Sequence, residues 1–484
     1  MPTVADVLQR GWQLHQNGNL DAAMHVYRGV LRQVPGSADA WVYLGIAQFD
    51  RREFAESAES YRRGLQLRSH FPIAWNNLGN TLRMLGETEE ADRCFESALQ
   101  QQPGYLSAFK NRGTLWIWSG QIERGFQWYE EGLKIDPENA ELHRNLGVIH
   151  LLLGNYQRGF DEYRWRWKMP GVSRPRGVDA WANSAMPVPV WHGQELERKS
   201  ICIYPEQGLG DAIHFVRVAA ELKRRGARIQ AVLPPAMIPL LSTAPGVDEI
   251  VPDDSEYAGL ASTPLSPTDF HASFIEVLDG LFQSTGQVAW GSDLAKEGYL
   301  EVPEALIRYW KDWLDQRRDP NRKLVGINWQ GNPGHHADVY RSIPLQFLRP
   351  LLDSNRVQVI SLQFGHGVEQ LDQSDLGSRV LRLPDGIDKT SGQFVDTAAV
   401  LKNLDAVVTT DTAIAHLAGA LTVPTQLLLG RVPDWRWLTD GETTPWYASL
   451  MLSRQAKLGT WDDAVERVVK RLTGSPAHSE PSVS

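Results

Sequence analysis

The sequence predicts an α + α/β chain: an all-helical repeat array over residues 1–168, then two parallel-sheet α/β domains over 199–305 and 321–472. Two patterns predict this. Gly11, Gly45, Gly79, Gly113 and Gly147 recur with a 34-residue period, and an aromatic follows each one at a constant offset: Tyr27, Tyr61, Phe95, Tyr129, Tyr163. A period of that length belongs to stacked helix–turn–helix units. Beyond residue 199 the pattern changes to apolar runs alternating with amphipathic helical stretches, in two blocks, as parallel-sheet domains do.

Composition narrows the classes. The chain has 484 residues, 42% hydrophobic and 22% charged, an ordinary globular balance. A net charge of −9 argues against a general nucleic-acid binder, which needs a basic surface. No apolar run reaches the length of a membrane span, and MPTVADVLQRGWQL lacks the regions of a signal peptide, so a cytoplasmic location is expected. The two cysteines, Cys94 and Cys202, fall in different segments and are expected as buried thiols rather than a disulfide.

Within each repeat, the glycine of the first helix and a small residue of the second (Ser57, Ala91, Gly125) let two helices approach closely. The aromatic is expected to fill the space to the next repeat. Pro103 and Pro137 stop the second helix, because proline lacks the N–H and crowds the preceding turn. At these columns the array resembles the tetratricopeptide-repeat family, over about five repeats. Such solenoids bind partners on a concave face. Asn77, Asn111 and Asn145 share the repeat's spacing on the first helices and could bond the backbone of an extended peptide. The same ladder occurs in the repeats of protein O-GlcNAc transferases, which these helices resemble. Two other readings stand: a merely polar helix face, and a carboxylate clamp built from Lys110 and Arg144.

Residues 169–198 read as a connector rich in proline, and Trp165, Trp167, Trp181 and Trp191 cluster in and beside it. Four indoles argue for a packed belt, with sugar stacking as the alternative. Residues 473–484, at the end of the chain, read as disordered.

Three strand-end loops in the α/β part carry chemistry. In EQGLGDAIHF, Gly208 and Gly210 permit a tight strand-to-helix turn and the close backbone approach expected of donor-binding residues. Asp211 falls at the helix start, which should keep it ionised at neutral pH, as a functional carboxylate or an N-cap. His214 lies one turn further on the same face. In NWQGNPGHHADVYRSIP, Gly331, Arg341 and Ser342 suit a phosphate; the adjacent His335 and His336 lack the spacing of a metal pair. In TTDTAIAHLAGALTVPT, Asp411, Thr412 and Ala413 open a small-residue helix whose first amides could hold a diphosphate, and His416 follows, as ligand or as structural residue. Ser361 and Gln363 end another strand, as candidate contacts to a nucleotide base, while Trp435, Trp437, Trp446 and Tyr447 read as packing residues.

GLGDAIHF, the RSIP loop, and DTAIAHLAGALTVPT with GRVPDWRW together resemble the heptosyltransferase-type (family 9) glycosyltransferases of the two-domain GT-B fold. The resemblance is nearer to bacterial proteins that fuse tetratricopeptide repeats to such a module, where EQGLGD, DTAIAHLAGAL, PDWRWL and PWY recur in this order. It spans about residues 190–470, and implies two Rossmann-like domains: an acceptor-side one at 199–305 and a donor domain at 321–472. The implied activity is inverting, metal-independent sugar transfer from a nucleotide-sugar co-substrate, with no further cofactor. The acceptor is expected to be a protein side-chain hydroxyl presented by the repeat groove. By motif, Asp211 corresponds to the family's general base, with His214 as the runner-up, and Asp411, Thr412 and the Ala413 amide to its donor-binding helix start. Arg341 corresponds to the cation on the donor phosphates. Glycine is usual where Ala413 stands, and the heptose-transferring members lack repeats, so their lipid acceptor does not carry over. The competing expectation is a non-catalytic repeat scaffold with a degenerate module.

Overall fold

The computed structural model describes residues 3–175, 178, 187–206, 208–253, 268–288, 296–335 and 337–474. Trp181, His336 and most of the expected tail lie outside them. The chain forms two compact units, Met1–Ile149 and His150–Ser484. This division falls before the expected end of the repeats at residue 168.

The first unit is a succession of helix pairs: α1 (Val4–Gln16) with α2 (Leu20–Gln33), α3 (Ala38–Asp50) with α4 (Phe54–Leu67), α5 (Pro72–Leu85) with α6 (Thr88–Gln101), α7 (Leu106–Trp118) with α8 (Ile122–Ile135). Helix α9 (Ala140–Leu152) crosses the division between the units and α10 (Tyr156–Tyr163) lies beyond it. The glycine column has a plain cause. A methyl group at Gly11, Gly45, Gly79 or Gly113 would stand 2.5, 3.0, 2.8 or 2.5 Å from a ring carbon of Tyr27, Tyr61, Phe95 or Tyr129. Each aromatic therefore lies across the glycine of its own repeat, and Tyr27 also stacks on Tyr43 of the next, with ring centroids 5.5 Å apart. The four rings are buried. Ionic links join successive repeats: Arg112 donates to both oxygens of Asp92 at 2.6 and 2.9 Å, and Trp116 Nε1 adds a bond at 2.8 Å.

The second unit contains two sheets. In the first, β1 (Ser200–Tyr204), β2 (Arg228–Leu233), β3 (Glu249–Pro252) and β4 (Phe270–Ser273) run parallel in the order β3-β2-β1-β4. In the second, β5 (Lys323–Asn328), β6 (Val357–Ser361), β7 (Val380–Arg382), β8 (Ala406–Thr410), β9 (Thr425–Leu429), β10 (Thr443–Thr444) and β11 (Tyr447–Arg454) are ordered β10-β11-β9-β8-β5-β6-β7. All its pairs are parallel except β10 with β11. Taken without β10, this is the doubly wound strand order, and it reverses between β5 and β8. A crevice opens at such a reversal, outside the carboxyl ends of the strands, and ligands bind there. The expected strands at 201–205, 228–235, 249–252, 323–331, 357–363, 406–410 and 425–429 are all present, most of them shorter at the carboxyl end.

The segment that follows α10 is fastened to the first sheet's layer by three arginines. Arg164 grips Asp279 with bonds of 2.6 and 2.7 Å, Arg166 pairs with Glu206, and Arg174 reaches Glu276 at 3.3 Å. Phe160 packs against Phe282 with ring centroids 5.7 Å apart. Trp191 is fully buried and lies on Gly280, where a methyl would meet the indole at 2.6 Å. Trp165 and Trp167 are half-buried beneath Lys168 and Arg174 respectively.

Candidate functional site

The site grows from two short helices that begin at strand ends of different sheets. Leu209–Phe215 follows β1 and carries Asp211; Ala413–Ala420 follows β8 and carries His416. They meet at Gly210, where a methyl would lie 3.1 Å from His416 Cδ2 and 3.4 Å from the Ala413 Cα. Gly210 is thus required for helix contact rather than for approach to a ligand. Gly208, at the helix cap, faces open space.

Asp211 is bound by a residue 225 positions away. Arg436 Nη2 donates to its Oδ1 at 2.7 Å, while Nη1 and the main-chain N–H of Arg436 donate to Asp434 Oδ1 at 2.7 and 3.0 Å. Arg436 is 4% exposed, with its guanidinium over the rings of Trp435 and Phe215. The three charges form one group, in which the Arg436 side chain is buried while those of Asp211 and Asp434 are 16% and 37% exposed. Burial pushes the Asp211 carboxyl up to about 7, only partly opposed by Arg436, and Asp434, Glu206 and Asp411 add to the rise. This corrects the expectation that the helix start keeps Asp211 fully ionised at neutral pH. Asp411 is pushed up to about 6, chiefly by burial and then by Asp434. Burial would also raise Asp434, but Arg436 holds it below its ordinary value.

His214 does not fit a base. It is fully buried, and neither ring nitrogen has a hydrogen-bond partner. It stacks on His416 at 4.7 Å and meets Trp446 edge-on at 4.5 Å. Burial lowers it well below the usual histidine range. His416 is held similarly, bonded through Nδ1 to Tyr447 Oη at 3.1 Å and pushed down to about 3, first by burial. Both histidines are neutral packing groups. Trp435, Trp437, Trp446 and Tyr447 are buried around them, as the sequence suggested.

On the crevice between β5 and β8, Arg341 Nη1 donates to the Asp411 carbonyl at 3.0 Å. Its guanidinium lies against Gly331, where a methyl would be 2.7 Å from Nη2. Gly331 is thus a seat for Arg341. Ser342 Oγ accepts from the Gly331 N–H at 3.0 Å and donates to buried Asp338 at 2.8 Å, so it braces the loop. Thr412 Oγ1 donates to Asn328 Oδ1 at 2.7 Å, which fixes the hydroxyl at the mouth of the Ala413 helix. Asp411, Thr412 and Ala413 are half-buried.

Gln363 is corrected more sharply. Its Oε1 accepts from Asn328 Nδ2 at 2.8 Å and from the main-chain N–H of Trp329 and Gln330, each at 3.0 Å. Its Nε2 donates to the carbonyls of Gln330 and His366 at 3.0 and 2.7 Å. The whole amide is used in clamping two loops. Ser361 is buried below it and accepts from the Gln363 N–H at 3.2 Å. Neither side chain is presented to a base.

In the repeats, Asn77, Asn111 and Asn145 are half-buried. Asn77 Oδ1 accepts from Asn76 at 3.2 Å, Asn111 Nδ2 donates to Asn76 Oδ1 at 3.0 Å, and Asn145 Oδ1 accepts from Arg144 at 2.9 Å. The ladder is partly engaged within the protein. Lys110 is paired with Glu141 at 2.9 Å, which weakens the clamp reading.

Arg436, Asp434, Asn328 and the Arg166–Glu206 pair were not singled out as functional from sequence. The charged pair in PDWRW was a visible signal, but its partner Asp211 could not be read from spacing. Among the described residues, no group of three or more His, Cys, Asp or Glu is disposed to hold a metal ion, and no helix is long and apolar enough to cross a membrane.

The class defined by comparison concerns the repeats. Residues 8–70 and 72–105 match tetratricopeptide-repeat profiles and 119–154 a TPR-repeat profile, so the N-terminal part is a tetratricopeptide solenoid, a module of protein–protein interaction. Among particular relatives, Protein FlbA of Caulobacter vibrioides is 25% identical over 294 residues, covering 58% of this chain and 48% of its own length. This chain thus spans about half the length of the curated relative it matches. That match is longer than the repeat segment, so it reaches into the residues beyond it. Solved structures with similarity include MamA (20% identity, 33% of this chain and 92% of that one, TM-score 0.30) and Pseudomonas aeruginosa PilF (22%, 36% and 78%, TM-score 0.33). A thermophilic TPR protein of Thermus thermophilus is 18% identical, covering 37% of this chain and 94% of that one, with a TM-score of 0.32.

Proposed function

We propose that the chain is an inverting, metal-independent glycosyltransferase of the GT-B type, in which the repeats select a protein acceptor. The observation that carries this reading is the convergence of Asp211 with the Asp411–Ala413 helix start, both at carboxyl ends of parallel strands, with Arg341 on the second. Asp211 takes the acceptor hydroxyl's proton; a carboxyl poised near 7 suits a general base, an effect of about 10²–10⁴-fold. Arg341 and the Ala413 amide stabilise the departing diphosphate, in a crevice of the kind that binds nucleotides. Arg436 orients Asp211.

A panel of nucleotide sugars tests it. One donor is expected to raise the melting temperature and to label an acceptor protein, and Asp211→Asn to retain donor binding while losing transfer. Failure of every donor at millimolar concentration would favour the non-catalytic scaffold.

A further inference from the structure

The strand end that was expected to meet a nucleotide base turns its polar groups inward. Leu362 and Gln363 are 1% and 6% exposed, and the next residue, Phe364, is 43% exposed. Among the described residues, Phe364 and Tyr309 are the large aromatics left this open. Phe364 is not on a slack loop. Gln363 locks its neighbours with five hydrogen bonds. Gly365 and Gly367 take φ of 70° and 89°, a left-handed turn that glycine adopts without penalty. Gly367 lies on Gln330, where a methyl would be 2.7 Å from Oε1, and Gln370 donates to the same oxygen at 2.9 Å. Gln330 adjoins Gly331, the seat of Arg341.

The loop after β6 is therefore braced against the loop after β5, next to the switch point of the sheet. An apolar ring held open on a rigid turn, one loop from a cation, fits a ligand with an aromatic face at one end and phosphate at the other. We propose that Phe364 is the stacking platform for the base of a nucleoside diphosphate whose phosphates lie toward Arg341. This rests on the nucleotide-sugar reading above and specifies which part of the donor the second sheet recognises. Stacking tolerates any base, so Phe364 sets affinity for a nucleoside, and the choice among bases falls to other contacts.

The test is calorimetric titration of the full chain with ADP, GDP, UDP, CDP and TDP, and with inorganic pyrophosphate. Phe364→Ala is expected to weaken the bound nucleoside diphosphate by about tenfold, within the range of a lost base–aromatic stack, and to leave pyrophosphate unchanged. Phe364→Trp should restore binding. Because the ring is exposed, unchanged melting temperatures are expected for both variants. Equal nucleotide affinity in Phe364→Ala and the parent chain overturns the stacking assignment alone. An equal loss for pyrophosphate also overturns it, since the change would then act through the phosphate loop. If the parent chain binds neither the nucleotides nor pyrophosphate, the nucleotide-sugar reading fails and this assignment with it.

Discussion

At the scale of single residues, Asp211 and its partner Arg436 would set the pH dependence of the proposed transfer. With Asp211 raised to about 7, transfer should increase as pH rises through neutrality and level off above it. Arg436→Gln removes the opposing cation, so the midpoint of kcat/KM against pH should move upward; a midpoint that stays in place would remove Arg436 from this role. The same shift acts on stability. Between the ordinary value of 3.8 and about 7 the folded chain holds a proton that the unfolded chain has lost, so Asp211 costs stability as pH rises through that window. His416, lowered from 6.5 to about 3, acts oppositely: its contribution is present above 6.5 and is lost as pH falls. In Asp211→Asn the Asp211 contribution is gone, so its melting temperature should fall relative to the parent as pH drops from 8 to 5. A constant difference across that range would contradict the shift. Residue identity was legible here and pairing was not, because the PDWRW motif displays its charges but nothing local indicates a partner in the other sheet.

At the scale of elements, glycine spacing governs the solenoid. A methyl at Gly125 would stand 2.5 Å from the Gly113 carbonyl oxygen and 2.9 Å from the Ile117 nitrogen, backbone atoms that cannot swing away. Gly125→Ala should cost about 1–3 kcal/mol, the range for overpacking, in thermal or urea denaturation. Gly36→Ala, with nothing within 4 Å, should be nearly neutral, so a similar loss in both would exclude the packing account. A second element-scale device is the Arg166–Glu206–Ser273 cluster, which ties the segment after α10 to the loop leading to Asp211. Glu206 accepts from Ser273 Oγ at 2.6 Å, and the side chains of Arg166 and Glu206 are 7% and 5% exposed. Arg166→Met leaves that carboxylate unpaired in the interior and should cost about 3–5 kcal/mol. A melting temperature equal to the parent's would show that the carboxylate finds another partner. Strand positions were readable because apolar runs are local; the packing of Gly210 on the Ala413 helix was not, because a glycine at a strand-to-helix turn reads equally as a ligand loop.

In the proposed function of the whole molecule, recognition falls to the repeats and chemistry to the α/β part of the chain. Removing residues 1–139 leaves α9 to pair with α10, where Leu151 lies against Gly159. That truncated chain should bind a donor with unchanged affinity and fail to modify its protein acceptor; modification at the parent rate would exclude the groove as the acceptor site. The sequence by itself determined the repeat register, the seven strands it exposed as apolar runs, and the candidate loops at their ends. Each of these is a periodic or contiguous pattern, carried by neighbours in the chain. Tertiary structure alone decided the order of strands, the crevice between β5 and β8, the ion pair of Asp211 with Arg436, and the inward turn of Gln363 that leaves Phe364 exposed. Those depend on contacts between residues tens to hundreds of positions apart, where burial and steric fit, rather than local pattern, select the partner.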